Sequence, residues 1–156
     1  MNIDFIILAA GKGTRMGGDS PKVLATLAGK PMIQHLIDTV DSFQSSKTSI
    51  VVGYKSNEVA RDLVSQKKLR FVKQKNQLGT AHAVKQALPN IRKNSVAVIL
   101  YGDVPLVKKN TLNRLIKSAS TGKLSLLTFI KEDPTGYGRI IRGSRKNVQK
   151  ITEHKD

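Results

Sequence analysis

A chain of 156 residues has room for one domain with a sizeable core, and the absence of cysteine excludes disulfides and thiolate metal sites and fits a reducing, cytoplasmic setting. Its 27 Lys and Arg against 11 Asp and Glu give a net charge of +16, yet the basic residues are scattered and the aromatic fraction is 4%, so a solvated lysine-rich surface is expected rather than a platform for nucleic acid. No apolar run approaches the length that spans a bilayer, and Asp4 interrupts the one over residues 3–10 with no basic stretch before it, so neither a membrane partner nor a signal peptide is expected.

The first element is the apolar run Ile3 to Leu8, read as a buried strand. It feeds Ala9-Ala10-Gly11-Lys12-Gly13-Thr14-Arg15-Met16, and Pro21-Lys22 follow. Gly11 and Gly13 lack a Cβ, so the backbone there can turn tightly and aim N–H groups at a polyphosphate. Arg15 adds a planar fork suited to phosphate oxygens and Lys22 a point charge on a flexible stem. A Walker loop requires four residues between its glycines, and only Lys12 separates Gly11 from Gly13. The dinucleotide fingerprint requires a third glycine where Met16 stands.

Pro31 can open a helix bearing Met32, Ile33, Leu36, Ile37 and Val40 at helical spacing. Ile50 to Val52 reads as a second strand closed by Gly53, and Val59, Leu63 and Val64 give a weaker helical pattern after the possible cap Ser56. Phe71-Val72 is a short strand, and Ala81 to Leu88 a helix of small residues ended by Pro89. Val96 to Leu100 has the continuous apolar character of a strand buried on both faces. Asn110 can cap a helix carrying Leu112, Leu115, Ile116 and Ala119. Leu124 to Ile130 is predicted as a further strand, and Ile140-Ile141 with Val148 and Ile151 flank a hairpin turn at Gly143-Ser144. Strands alternating with helices predict an α/β fold, a mostly parallel sheet with helices on both faces in three layers.

In such a sheet a ligand sits outside the carboxyl ends of the strands, where residues 11–22, 74–80 and 101–103 should converge. Asp103 follows an apolar strand, and a lone carboxylate suits magnesium, which takes one or two protein carboxylates and completes its shell with water and phosphate. Gly102 beside it leaves the backbone free to approach a ligand. Gln74 and Gln77 each carry a donor and an acceptor able to read the edge of a pyrimidine, with Gly79 leaving room for the ring. Thr80 can cap the following helix. His82 reads as a helix residue rather than a catalyst, and His35 as packing or surface. No Ser/His/Asp or metal-binding His cluster is visible.

The Gly-x-Gly-Thr-Arg-Met loop with Pro21-Lys22 resembles the signature of sugar-nucleotide pyrophosphorylases. Together with Leu27-Ala28-Gly29-Lys30-Pro31-Met32, Gln77-Leu78-Gly79-Thr80-Ala81-His82-Ala83, Tyr101-Gly102-Asp103-Val104-Pro105-Leu106, Asp133-Pro134-Thr135-Gly136-Tyr137-Gly138-Arg139-Ile140 and Glu153-His154-Lys155-Asp156, it resembles the uridyltransferase domain of the bacterial bifunctional N-acetylglucosamine-1-phosphate uridyltransferase/glucosamine-1-phosphate acetyltransferases. The resemblance implies a Rossmann-like nucleotidyltransferase fold in which UTP and N-acetylglucosamine 1-phosphate give UDP-N-acetylglucosamine and pyrophosphate with Mg2+, in cell-wall and lipopolysaccharide precursor synthesis.

By that resemblance Leu8, Ala9, Ala10, Gly11, Gln74, Gly79 and Thr80 hold the uridine side, with Gln77, Tyr101 and Gly102 nearby. Arg15 and Lys22 hold phosphates as the catalytic cations, Asp103 is the magnesium ligand, and Gly138 and Glu153 contact the sugar. In the family the domain continues beyond Glu153-His154-Lys155-Asp156, supplying two asparagines to the sugar and metal sites, and a β-helix acetyltransferase domain then builds a trimer. Residues 1–156 are therefore expected to form one incomplete domain with a UTP half site, little turnover, and apolar surface exposed where further strands would pack. Ser20 stands where the family commonly has Leu. A nucleotidyltransferase for dTTP or CTP, and a non-catalytic basic nucleotide- or nucleic-acid-binding module, stay open as alternatives.

Overall fold

A computed structural model describes residues 1–11, 20–53, 55–144 and 147–153. The chain divides into two compact units, Met1–Ser125 and Leu126–Asp156.

In the first unit the strands are β1 (Asn2–Ala9), the two-residue pieces β2 (Thr26–Leu27) and β3 (Lys30–Pro31), β4 (Ser46–Val52), β5 (Leu69–Lys73) and β6 (Ser95–Tyr101). The helices are α1 (Met32–Asp41), α2 (Ser56–Arg61), α3 (Thr80–Ala87) and α4 (Lys109–Ala119). A four-stranded parallel sheet has the order β5-β4-β1-β6, so the first strand is interior. That position explains its composition: Phe5, Ile6 and Ile7 are fully buried because side chains on both pleats meet protein.

The two faces carry cores of different size. Phe5, Ile7 and Ala9, with Ile50 and Leu100 beside them, pack against Ile33, Leu36, Ile37 and Val40 of α1 and Leu112 and Ile116 of α4. The opposite face sets Ile6 and Val51 against Ala83 and Ala87 of α3. Small residues at those helix positions let α3 lie close to the sheet. Pro89 then ends α3, in a short 3-10 turn over Leu88–Asn90. The apolar run Val96 to Leu100 predicted a strand buried on both faces, but among the described residues β6 is an edge strand, and Ile99 and Tyr101 on it are half-exposed.

Several expectations are corrected. Ser56, Thr80 and Asn110 lie inside their helices; the N-cap residues are Lys55, Gly79 and Lys108, and none makes a side-chain capping bond. The strand predicted over Leu124 to Ile130 is absent, and Leu124, Phe129 and Ile130 are exposed. Apolar β-formers alone do not make a strand, because each strand needs a neighbouring edge for its N–H and C=O groups, and no described residue supplies one.

The second unit contains the predicted hairpin, β7 (Arg139–Arg142) antiparallel to β8 (Val148–Thr152), with a register irregularity between Ile141 and Arg142. Phe129 meets Tyr137 edge-to-face at 5.5 Å within the same unit.

Candidate functional site

At the carboxyl ends of β1, β5 and β6, three separated segments surround a cleft of about 300 Å³, at the lower end of the range for small-molecule sites. One wall is Leu8, Ala9, Ala10 and Gly11, with Lys22 and Val23. Another is Gln74, Gln77, Gly79 and Thr80, backed by Ala83 of α3, and Tyr101 and Asp103 complete it. The predicted convergence is therefore present in the described residues. Lys12, Gly13 and Arg15 lie outside the described residues.

The backbone requirements of this rim are strict at two glycines. Gly79 has φ +94° and ψ −179°, a conformation essentially reserved for glycine, and it places the start of α3 at the cleft. Gly53, read from sequence only as the end of a strand, sits where an added Cβ would come within 2.8 Å of the Ala10 carbonyl oxygen and 3.0 Å of Gln77 Nε2. That closeness lets Gln77 Nε2 donate to the Ala10 oxygen at 2.7 Å. Gln77 thus commits a donor to fixing the turn after β1. The sequence assigned Val23, Ala83 and Gly53 no place at the cleft, since that place is defined only by what each touches across the fold.

Gly102 does not line the cleft. It is buried behind the wall, donating its N–H to Leu8 O at 2.9 Å, and a Cβ there would lie 2.9 Å from Val23 Cγ1. Its small size brings the Lys22–Leu24 turn against the end of β1 instead of opening room for a ligand. Gln74 is tied on both sides: its backbone N–H donates to Val52 O at 2.8 Å, and its side-chain Nε2 lies 3.2 Å from Gly79 O and 2.9 Å from His82 Nδ1. His35 Nε2 is 2.8 Å from Leu27 O, well away from this chemistry in its partners.

The charge of the site is concentrated in one pair. Lys22 Nζ lies 2.8 Å from Asp103 Oδ2, with side-chain exposures of 41% and 34%. Solvent screens such a pair, so it adds little to stability and can be exchanged for ligand charge. No group of three or more His, Cys, Asp or Glu is clustered among the described residues, so Asp103 is a single hard-oxygen donor. That donor set fits a divalent ion which draws most of its shell from water and phosphate, and does not fit an all-protein metal cage.

In the second unit, Gly138 and Glu153 are neighbours. A Cβ on Gly138 would lie 3.4 Å from the Glu153 carboxylate oxygens and 3.1 Å from Ile151 Cγ2.

A parallel sheet, a rim built on glycine and a lysine–aspartate pair at the mouth define an α/β protein with a ligand cleft at the carboxyl ends of its strands. The fold is shared with solved structures. HddC from Yersinia pseudotuberculosis complexed with GMP-PN superposes with a TM-score of 0.70 at 24% identity, over 96% of this chain and 68% of that one. Rv0371c from Mycobacterium tuberculosis in complex with manganese gives 0.62 at 20% identity, over 78% and 61%.

The chain belongs to the MobA-like NTP transferase domain family, whose pattern matches residues 5–145. It is also similar to curated proteins named bifunctional protein GlmU. That of Ruthia magnifica subsp. Calyptogena magnifica is 49% identical over 99% of this chain, and that of Pseudomonas aeruginosa 48% identical over 100% of this chain. In each case the chain spans 34% of the relative's length. No helix of the described residues is long and apolar enough to cross a membrane.

Proposed function

We propose that the cleft binds UTP with Mg2+ and holds it for transfer of the uridylyl group to N-acetylglucosamine 1-phosphate, giving UDP-N-acetylglucosamine and pyrophosphate. The observation that carries this reading is the meeting of residues 8–11, 74–80 and 101–103, with Lys22, around one cleft in a chain so similar along its length to bifunctional GlmU proteins.

The chemistry asks little covalent help from the protein. An oxygen of the sugar phosphate attacks the α-phosphorus of UTP, the bond from that phosphorus to the bridging oxygen breaks, and the pair of electrons leaves with pyrophosphate. Both reactants are anions, so the tasks are positioning and charge neutralisation. Lys22 supplies one mobile positive charge at the cleft mouth, and Arg15 is proposed as the second. Magnesium, when bound at Asp103, would neutralise phosphate oxygens. The Asp103 carboxylate is now shared with Lys22 Nζ, so metal binding there would release the ammonium to the phosphates. At Gly11 no atom of the described residues beyond its chain neighbours lies within 4 Å of an added Cβ, which leaves space beside its backbone for a ligand. Gln74 and Gly79 are the proposed contacts of the base. Within the second unit, the Glu153 carboxylate beside Gly138 is the proposed acceptor for a sugar hydroxyl.

Calorimetric titration with UTP, CTP and dTTP, each with and without Mg2+, tests this. UTP is expected to bind most tightly and to need the metal for its full affinity. Equal, metal-independent binding of all three nucleotides, lost at moderate salt, would instead mark general attraction to a lysine-rich surface.

A further inference from the structure

His82 lies behind the cleft wall, and it touches a residue that lines it. Gln74 is 4% exposed, and its Nε2 sits 3.2 Å from the Gly79 carbonyl oxygen and 2.9 Å from His82 Nδ1. A carbonyl can only accept, so the corner of the amide that meets Gly79 is the NH2 group. Its second hydrogen then goes to His82, and Nδ1 must be the bare, accepting nitrogen. The imidazole consequently carries its proton on Nε2. Gln86 Nε2 stands 3.1 Å from that nitrogen and 3.5 Å from the His82 carbonyl oxygen, so its amide accepts the proton only by turning its oxygen to the ring and giving up that long bond to the carbonyl. With both hydrogens of the Gln74 NH2 engaged, the group this buried amide keeps for the cleft is Oε1, to which no described residue donates.

We infer that His82 is a positioning residue that sets nucleobase preference, by holding the Gln74 amide in the one of its two flipped states that presents an acceptor to the cleft. The inference rests on the reading that the cleft takes a nucleoside triphosphate with its base at Gln74. An acceptor set against position 3 of a pyrimidine matches the N3–H of uracil and meets a bare lone pair in cytosine. The opposite flip would set Oε1 against the Gly79 carbonyl, lone pair to lone pair, and would require the imidazole to move its proton to Nδ1. Histidine thus adds a second hydrogen bond to the amide orientation that the Gly79 carbonyl already favours.

The test compares UTP and CTP affinity, with Mg2+, for the wild type, His82→Leu and His82→Asn. His82→Leu is expected to lower the UTP-to-CTP preference by roughly tenfold, the worth of one hydrogen bond. His82→Asn, whose Oδ1 can take the place of Nδ1 as acceptor, is expected to restore most of it. A merely structural role would weaken both nucleotides alike. A wild type that prefers UTP, with the ratio unchanged in His82→Leu, overturns the inference alone; a wild type that binds neither nucleotide overturns the nucleotide reading and the specificity role with it. A second measurement depends on neither variants nor ligand. Nitrogen NMR of the neutral imidazole should find Nδ1 unprotonated and Nε2 protonated, and a neutral ring with its proton on Nδ1 would overturn the inference.

Discussion

The two ends of the parallel sheet each hold a carboxylate against a cation from a distant part of the chain, and the surroundings make them different objects. At the amino end, Asp4 is 2% exposed and accepts from the Arg92 backbone N–H at 2.8 Å and from its Nε at 2.9 Å. Arg92 Nη2 lies 2.8 Å from the same carboxylate and also donates to the carbonyls of Ile3 and Ser45, so the guanidinium ties the starts of β1 and β4 to the turn before β6. At the carboxyl end, Lys22 and Asp103 share one contact in partial solvent. A charge pair whose carboxylate is buried and multiply hydrogen-bonded is part of the fold. A singly bonded, wet one is available for exchange, which is what a site for anionic ligands and a cation requires.

Breaking the amino-end pair should have the largest effect. Asp4→Ala leaves the Arg92 guanidinium without its buried partner and is expected to cost about 3 kcal/mol or more of stability in urea unfolding. The same carboxyl gives a pH signature. Burial raises its pKa, but hydrogen bonds from Arg92 and Ser95 and the Arg92 charge outweigh that and hold it below the ordinary 3.8. Its contribution is therefore present above the unfolded-state pKa and lost as pH falls through the folded value. Acid unfolding below about pH 4 should be steeper in the wild type than in Asp4→Asn.

Next in size is the carboxyl end. Lys22→Met should weaken UTP by roughly tenfold or more, the range for one charged hydrogen bond, with a stability change of less than about 1 kcal/mol. Asp103→Asn should move stability least, within about 0.5 kcal/mol, while removing most of the magnesium dependence of UTP binding. Equal destabilisation by Asp4→Ala and Asp103→Ala would erase the contrast between the two ends.

How much of this was legible in the sequence follows from the range of each interaction. The apolar run of β1, the small residues of α3 and the position of Asp103 after β6 are local patterns, and each led to the right element and the right end of the sheet. The Asp4–Arg92 bond spans 88 positions, and in the sequence Asp4 reads only as an interruption of an apolar run. Gly53 and Gly102 look like ordinary strand ends, and their demands arise from Gln77, Ala10 and Val23 approaching from elsewhere. Gln77 looked as fit as Gln74 to read a base, and only the fold commits its amide to Ala10. Leu124 to Ile130 failed as a strand for the same reason in reverse: its local propensity was sound, and the neighbouring edge it needed is not in the sequence pattern at all.

The most direct test of the contrast is backbone amide NMR during titration with UTP and Mg2+. Among the described residues, shifts confined to 8–11, 22–23, 74–80 and 101–103, with Asp4 and Arg92 unmoved, are the predicted result. Shifts scattered over surface lysines, or none in those segments, would contradict the assignment of the cleft as the nucleotide site.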